Sequence, residues 1–258
     1  MKRSKEELWN NIWKDISSKE EDVFILEKEE NSVRWQRIKK LIMNKFENLS
    51  DLEVIELGAG IGTYSALMAK RKANVTVLDF SENAIERSRR FFQNNGLSVQ
   101  HIKQDALKLP KHLLNKYDIS MSFGLAEHFI GLERTRIIKL HFDVLKRGGM
   151  SFISVPNILN LPYRFFKFFT QQIGRWQVGE EYPYSRNELR AICNQIGITE
   201  YSFLGDSLIS SFAFINPFTN RTNIPENLDD KKSSRIRKEK GTFLDSYFSY
   251  ALVLCGTK

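Results

Sequence analysis

The chain has 258 residues, which is enough for one large domain with additions and for a sizeable buried core. Hydrophobic residues make up 41% of it and charged residues 27%, as in ordinary soluble globular proteins, and this excludes a disordered or fibrous chain. The net charge of +8 suits an anionic partner such as nucleic acid, an acidic lipid surface or an anionic substrate.

The two cysteines, Cys193 and Cys255, exclude a disulfide framework and a cysteine-rich zinc site, and they favour a reducing, cytoplasmic location. The N-terminal sequence is charged rather than apolar, and no apolar run reaches the roughly 18 residues of a bilayer-crossing helix. We therefore predict neither secretion nor a transmembrane span.

The first segment of the chain, residues 1–48, is predicted to be a helical extension. Apolar residues recur at helical spacing within 8–16, which predicts an amphipathic first helix. A polar stretch at 27–31 separates it from a second predicted helix at 33–46. We expect this extension either to pack on the main domain or to form a lid over an active site.

A buried strand, a glycine-rich turn and a helix start follow one another within residues 54–63. The apolar run that ends in Glu56 and Leu57 predicts a central strand of a parallel sheet, since such strands are covered on both faces. Gly58 and Gly60 allow positive φ angles and a close approach of a ligand to the backbone. A strand, glycine turn and helix in this order indicate a nucleotide-binding site.

A second buried strand, predicted at 74–78, ends in Asp79. Asp79 follows the glycine turn by about 20 residues, the distance at which an acid accepts hydrogen bonds from ribose hydroxyls in a Rossmann-like unit. The glycines have the order GxGxG, whereas the dinucleotide fingerprint is GxGxxG. This spacing argues against a nicotinamide dehydrogenase.

Strands and helices continue to alternate, which predicts an α/β fold. Further helices are predicted at 83–93, 134–145 and 185–195, and the cationic, glycine-containing segment 146–149 is expected to end the second of these. Further strands are predicted at 98–102, 117–123, 150–155, 198–204 and 246–255.

Two insertions depart from this alternation. Residues 157–184 interleave aromatic residues with cations, and residues 205–245 are long, polar and interrupted by proline. Both follow strands at the edge of the sheet where ligands bind in open α/β folds. We expect them to act as lids that select the substrate, while the aromatic surface is equally compatible with a hydrophobic layer on the domain or with a dimer interface.

Gly58-Ala59-Gly60, Asp79, Asp105 and Glu127-His128, in this order, resemble the motifs of class I S-adenosylmethionine-dependent methyltransferases. The motif style is similar to that of the small-molecule, quinone-biosynthesis-like group, and the resemblance covers roughly residues 34–155 and the final strands. It implies a Rossmann-like, doubly wound seven-stranded sheet of order 3-2-1-4-5-7-6 with an antiparallel last strand. It also implies S-adenosylmethionine as cofactor and residues 49–258 as the cofactor-binding domain.

The resemblance further implies which residues contact the cofactor. Arg34 is expected to bind its carboxylate, Asp79 its ribose and Asp105 its adenine amino group, while Phe80 packs on the ring or fills the core. The full predicted set is Arg34, Glu56, Gly58, Ala59, Gly60, Asp79, Phe80, Asp105, Ala106 and Phe123.

His128 is the predicted general base, because its residue type titrates near neutral pH and it follows the fourth strand. Its alternative role is a structural hydrogen bond. Glu127 is expected to orient His128 or to contact the substrate. No metal-binding cluster is predicted.

The leading functional hypothesis is methyl transfer to an O, N or C centre of a small, apolar or aromatic metabolite. The Asp/Asn-Pro-Pro-aromatic motif of adenine methyltransferases, a nucleophilic cysteine for cytosine C5 chemistry and the double-Glu loop of protein arginine methyltransferases are absent after the fourth strand. A tRNA or rRNA methyltransferase remains the less favoured alternative, since basic segments bind phosphate. The third hypothesis is a non-catalytic, S-adenosylmethionine-binding protein that docks on an anionic membrane.

Overall fold

The computed structural model describes residues 5–14, 17–176, 179–212 and 238–258. The strands are β1 (Glu53–Leu57), β2 (Asn74–Asp79), β3 (Gln100–Lys103), β4 (Tyr117–Phe123), β5 (Leu145–Pro156), β6 (Tyr201–Gly205) and β7 (Ala251–Thr257). The α-helices are α1 (Lys5–Ile12), α2 (Lys19–Glu30), α3 (Val33–Phe46), α4 (Thr63–Ala69), α5 (Glu82–Asn94), α6 (Gly131–Asp143), α7 (Leu161–Gln172), α8 (Arg186–Gln195), α9 (Leu208–Ser211) and α10 (Asp245–Phe248). Short 3-10 helices span Ala106–Lys108, Lys111–Leu113 and Ala126–His128.

The seven strands form one sheet of order β3-β2-β1-β4-β5-β7-β6, which confirms the predicted Rossmann-like, doubly wound architecture. Strands β1 to β5 pair in parallel, whereas β7 is antiparallel to both β5 and β6, as predicted for the last strand. The strand order reverses at β1, which has β2 on one side and β4 on the other. Ligands of open α/β sheets bind at the carboxyl ends of the strands beside such a reversal.

Alternate residues of β1 enter two different hydrophobic cores, one on each face of the sheet. Val54 packs in the core that includes residues of α3, α4 and α5. Ile55 packs in the core that includes residues of α6 and α8. Both side chains are fully buried, which explains why this strand is a continuous apolar run without polar alternation.

The helix α2 was missed by the sequence analysis, and the polar separator predicted at 27–31 was wrong because most of it lies in α2. This helix buries Asp22 and Leu26 and has no apolar stripe, so the usual helical periodicity is absent. A capping box marks its start, since Ser18 Oγ accepts from Glu21 N at 3.1 Å and Glu21 Oε2 accepts from Ser18 N at 2.8 Å. The prediction of a helix at 33–46 is confirmed by α3.

Other predicted boundaries were wrong as well. The first helix ends at Ile12, and residues 15 and 16 lie outside the described residues. Residues 146–149 belong to β5 rather than to a helix end, and Gly148 N donates to Lys258 O at 2.8 Å beside the last strand. The last strand begins only at Ala251, because the buried Asp245 turns inward to pair with Arg37 at 2.7 Å and starts α10.

The 157–184 insertion leaves and rejoins the sheet at a single point, where Asn157 and Tyr184 form a parallel bridge. It contains α7. The 205–245 insertion contains α9, but residues 213–237 lie outside the described residues. Within the described ranges, no helix combines the length and apolar character needed to cross a bilayer.

Candidate functional site

A cavity of about 590 Å³ opens at the carboxyl ends of β1, β2 and β4. Every residue predicted for the site lines it except Glu127. The cofactor residues predicted from the sequence that line it are Arg34, Glu56, Gly58, Ala59, Gly60, Asp79, Phe80, Asp105, Ala106 and Phe123. Residues that the sequence analysis did not single out also line it, among them Glu6, Trp9, Trp13, Glu29, Tyr64, Leu107, Leu125 and Phe129.

The glycine turn after β1 forms the floor of the cavity. Gly58, Gly60 and Gly62 have φ angles of +59°, +54° and +75°, a region that residues with a Cβ rarely adopt. A Cβ at Gly60 would lie 2.6 Å from Cζ2 of Trp13. The turn therefore needs glycine for both its backbone conformation and its close contacts.

Asp79 at the end of β2 holds this turn through its carboxylate. Its Oδ2 accepts from Gly60 N at 3.0 Å, and its Oδ1 accepts from Ser81 N at 2.9 Å. Burial raises the pKa of Asp79, against the effect of these backbone donors. The carboxylate thus fixes the glycine turn and faces the cavity at the same time.

Glu56 lies beside Asp79 and is also buried, at 2% exposure. Its Oε2 accepts from Ser65 N at 3.0 Å. Burial raises the pKa of Glu56 to about 7, although hydrogen bonds from Ser65 oppose the shift, and the nearby Asp79 raises it further. Two adjacent buried acids favour a ligand that brings a positive charge or hydrogen-bond donors.

Arg34 reaches the cavity from α3. Its Nε donates to Tyr64 Oη at 2.6 Å, and its Nη1 donates to Ser154 Oγ at 3.1 Å. Its Nη2 lies 3.8 Å from Oε1 of Glu29, which also accepts a hydrogen bond from the Tyr64 hydroxyl. The ring of Tyr64 stacks on Phe123 with centroids 3.5 Å apart. Arg34 is therefore positioned by side chains from four elements. Of the residues in this group, only Arg34 and Phe123 were predicted from the sequence.

Asp105 follows β3 and caps a short 3-10 helix, because its Oδ1 accepts from Leu107 N at 2.9 Å. The loop-capping role that such a residue ordinarily has is therefore present. Asp105 and the buried Ala106 nevertheless both line the cavity, beside Phe80.

His128 lines the cavity, whereas Glu127 points away from it into the protein. Nδ1 of His128 lies 2.8 Å from the carbonyl oxygen of Glu180, and its ring meets Trp9 edge-on at 4.9 Å between centroids. Glu127 is 2% exposed, and its Oε2 has no hydrogen-bond partner among the described residues. Burial raises the pKa of Glu127 to about 8.

The 157–184 insertion supplies the surroundings of this pair. Tyr163 Oη donates to Glu181 Oε2 at 2.6 Å, and Lys167 Nζ donates to the carbonyl of Glu181. Ligand-type atoms of Glu127, His128 and Glu181 lie within 4.8 Å of one another. The sequence analysis did not anticipate this grouping, because nothing in the spacing of Glu181 connects it with the fourth strand.

The helix α1 lies over the cavity and is tethered to α5. Asn10 Oδ1 accepts from Ser81 Oγ at 2.7 Å, and the Asn10 carbonyl accepts from Asn83 Nδ2 at 2.7 Å. Trp9 and Trp13, at the end of this segment, point into the cavity. The amphipathic pattern predicted the helix, and the tether explains where it packs.

Comparison with known proteins identifies relatives of part of the chain. Residues 54–149 match a family model described as a methyltransferase domain. A protein of Rickettsia prowazekii (strain Madrid E), named ubiquinone biosynthesis O-methyltransferase, is 25% identical over 156 residues, 60% of this chain and 60% of that protein. Its namesake in Pseudomonas fluorescens (strain SBW25) is 25% identical over 162 residues, 61% of this chain and 69% of that protein. The match thus spans less than two thirds of the length of the Rickettsia relatives.

Solved structures resemble the whole fold. Magnesium protoporphyrin IX methyltransferase from Synechocystis PCC 6803 with bound SAH has a TM-score of 0.59 at 16% identity, covering 98% of this chain and 93% of that one. A SAM-dependent methyltransferase from Archaeoglobus fulgidus has a TM-score of 0.55 at 15% identity, covering 86% and 94%. At these identities the likeness establishes the fold.

Proposed function

We propose that this chain is a class I S-adenosylmethionine-dependent methyltransferase, in keeping with the methyltransferase-domain match over residues 54–149, and that it transfers the methyl group of S-adenosylmethionine to a small acceptor. The acceptor atom is an O, N or C centre of an apolar or aromatic metabolite. The observation that carries this proposal is the cavity floor, where a positive-φ glycine turn lies against the two buried acids Asp79 and Glu56.

Each part of the cofactor has a matching group in the cavity. The ribose hydroxyls suit the Asp79 carboxylate, which accepts two hydrogen bonds from a diol when ionised. The cationic amino-acid end suits Glu56, and its carboxylate suits the guanidinium of Arg34 through charge-assisted hydrogen bonds. The adenine suits the surface formed by Phe80, Asp105 and Ala106.

Methyl transfer from a sulfonium depends more on the alignment of the reacting atoms than on strong catalysis by side chains. The methyl group on a sulfonium is already activated, so the protein has to hold acceptor, methyl and sulfur in line and exclude water. We propose residues 1–48 as an extension whose helix α1 acts as a lid, and residues 49–258 as the cofactor-binding domain. The position of Trp9 and Trp13 in the cavity supports the lid.

His128 is the proposed general base for a hydroxyl or ammonium acceptor. A carbonyl oxygen can only accept, so the contact with Glu180 O requires the proton on Nδ1 and leaves the lone pair on Nε2. A base of this kind contributes about 10²-fold or more to turnover. Full turnover by a His128→Ala variant would remove this role.

An apolar acceptor is supported by the other wall of the cavity. Trp9, Leu107, Leu125 and Phe129 line it and provide apolar surface. The name of the Rickettsia relative, which assigns that protein to ubiquinone biosynthesis, supports the same class. The cytoplasm is the compartment we propose, since Cys193 and Cys255 are both buried free thiols.

The test is calorimetric titration with S-adenosylmethionine, S-adenosylhomocysteine and NAD. We expect the first two to bind and NAD not to bind. Asp79→Ala should weaken binding by about 100-fold or more, because it removes hydrogen bonds to a charged group and releases the glycine turn. Asp143→Ala, at an exposed i,i+4 pair with Lys139, is the matched control and should bind normally.

Unchanged affinity in Asp79→Ala would overturn the proposed cofactor site. Binding of NAD in place of S-adenosylmethionine would overturn the proposed function. Where binding is established, labelled methyl transfer into fractionated extracts identifies the acceptor.

A further inference from the structure

After α7 the chain passes the loop that follows β4 in an irregular stretch, residues 179–183, which belongs to no helix or strand. We define residues 180–183 as the return segment. The carbonyl oxygen of Glu180, at its start, lies 2.8 Å from Nδ1 of His128. Backbone oxygens outside a helix or sheet need other partners, so side chains have to hold such a segment in place. The side chains that do so also decide whether His128 keeps its contact.

Arg134 of α6 holds the end of the return segment with its guanidinium. Nη1 donates to the carbonyl oxygen of Tyr182 and Nη2 to that of Pro183, both at 2.9 Å. Nη1 also donates to the carbonyl oxygen of Phe129 at 3.4 Å. Phe129 directly follows His128 in the chain. One side chain thus joins the return segment to the residue next to His128.

The other contacts of Arg134 use up its remaining donors. Nε and Nη2 both donate to the carboxylate of Glu188 on α8, the second at 3.2 Å. The guanidinium also lies over the ring of Tyr184, with Cζ 3.3 Å from the ring centroid. All five N–H groups of the guanidinium therefore have acceptors, and the side chain is only 13% exposed. A lysine, with three donors on a single atom, cannot make the same set of contacts.

The middle of the return segment has two further hydrogen bonds. Lys167 Nζ donates to the carbonyl oxygen of Glu181, and Tyr182 N donates to the carbonyl oxygen of Glu127 at 2.8 Å. Each of the four carbonyl oxygens of residues 180–183 therefore has a side-chain partner, and two of the four are held by Arg134. Loss of Arg134 would release the segment at its end while the rest of the 157–184 insertion keeps its contacts.

The position of the proton on His128 depends on this arrangement. A carbonyl oxygen can only accept, so neutral His128 carries its proton on Nδ1 and its lone pair on Nε2 while Glu180 stays in place. Withdrawal of the return segment ends this constraint, and the proton can then occupy either nitrogen. A histidine whose lone pair lies on the other nitrogen cannot accept a proton in the same geometry.

We propose that Arg134 is a positioning residue for His128. It holds the return segment, whose Glu180 carbonyl keeps the proton of neutral His128 on Nδ1. The choice of tautomer stands on these contacts alone, while its use in removing a proton from the acceptor rests on the proposed function.

The test is nitrogen NMR of the full chain with isotope-labelled histidine side chains, at about pH 8, where an ordinary histidine is neutral. The chain has four histidines, and a His128→Gln variant identifies the signals of His128. In the parent we expect a protonated Nδ1 and an unprotonated Nε2. In Arg134→Gln we expect both signals to move toward those of the opposite tautomer.

His141 is the internal control, because its Nδ1 lies 2.8 Å from the carbonyl oxygen of Ile137 on the same helix as Arg134. It should keep its proton on Nδ1 in every variant. Glu188→Gln is the matched control, since it removes the ion pair but keeps the three carbonyl acceptors of Arg134, and it should leave His128 unchanged. Arg134→Lys keeps the charge and should give an intermediate shift, which tests the proposal even if Arg134→Gln fails to fold.

An unchanged His128 tautomer in the Arg134 variants would overturn the proposal. An equal change in Glu188→Gln, or a change of His141 together with His128, would also overturn it, because the effect would then come from a general disturbance of α6.

Two further measurements separate this proposal from the proposed function. Calorimetry should give the same affinity for S-adenosylmethionine in Arg134→Gln and the parent, since Arg134 is not among the residues that line the cavity. The kcat for the acceptor found by labelled methyl transfer should fall about tenfold or more. Full turnover despite a changed tautomer would remove the role of His128 as base and would leave its positioning by Arg134 in place.

Discussion

The two sides of the cavity are built from different parts of the chain. The floor comes from the loops after β1, β2 and β3, which supply Gly60, Asp79 and Asp105 within the segment that matches the methyltransferase domain. The opposite wall includes Trp9 of α1 and Trp13 just after it, which lie outside that segment. The floor thus belongs to the matched domain, whereas part of the wall comes from residues that precede it.

The two sides also depend on different interactions. The floor is set by the backbone conformation of the glycine turn and by the backbone N–H groups that donate to the Asp79 carboxylate. Any ligand with an adenosyl group can use this floor. The wall is set by side chains, such as Trp9, whose ring packs edge-on against His128. Side-chain contacts change without disturbing the sheet, so the wall is the side where selection of the acceptor can vary.

The largest effect is expected where the N-terminal additions are anchored. Asp22 of α2 is fully buried and pairs with Arg87 of α5, which is itself 8% exposed. Asp22→Ala would leave a buried guanidinium without its partner, and we expect a loss of about 3–5 kcal/mol in the free energy of unfolding by urea. Lys139→Ala, at an exposed pair with Asp143, should cost about 0–1 kcal/mol. A loss below about 1 kcal/mol for Asp22→Ala would mean that α2 is an accessory layer rather than part of the domain.

A smaller effect, dependent on pH, is expected from Glu127 under the wall. Burial raises its pKa from 4.5 to about 8, so between these values the folded state holds a proton that the unfolded state releases. The free energy of unfolding should therefore fall as pH rises, by about 1.4 kcal/mol per pH unit from this group.

The measurement for this prediction is urea unfolding at several values between pH 5 and pH 8. Glu127→Gln keeps a neutral side chain at every pH. Its free energy of unfolding should therefore fall less steeply with pH than that of the parent, by about 1.4 kcal/mol per pH unit. Glu56, whose pKa is raised to about 7 by burial, contributes in the same direction and is unchanged in the variant. Equal pH dependence in parent and variant would show that Glu127 is ionised in the folded protein.

The floor could be predicted from the sequence because its signals are local. Glycines at fixed spacing after an apolar run predict a turn. The end of the next parallel strand lies at the same edge of the sheet, so an acidic residue there lies near that turn. Such rules placed Gly58, Gly60, Asp79 and Asp105 around one cavity without knowledge of the packing.

The wall could not be predicted in this way because its residues meet only through packing. Glu181 approaches Glu127 through the path of an insertion, and Tyr64 and Glu29 join Arg34 from two different helices. The same limit explains why α2 was missed, since its burial of Asp22 depends on a partner in α5 rather than on a pattern of its own. Ser18 and Glu21 carried the one local signal for that helix.

The smallest effect is expected from substitution of Trp13, the residue at which the floor and the wall of the cavity meet. Its indole lies so close to Gly60 that a Cβ there would be 2.6 Å from Cζ2, so a cofactor resting on this glycine turn has to contact Trp13. An aromatic contact of this kind is worth about 0.5–1.5 kcal/mol, and Trp13→Ala should therefore weaken S-adenosylmethionine binding by about two- to tenfold. Titration with S-adenosylmethionine should also change the tryptophan fluorescence of the parent and of the Trp176→Phe variant. The change should be much smaller in the Trp13→Phe variant. Tighter binding by Trp13→Ala would instead mean that the α1 segment competes with the cofactor for the glycine turn, and the wall would then regulate access to the floor.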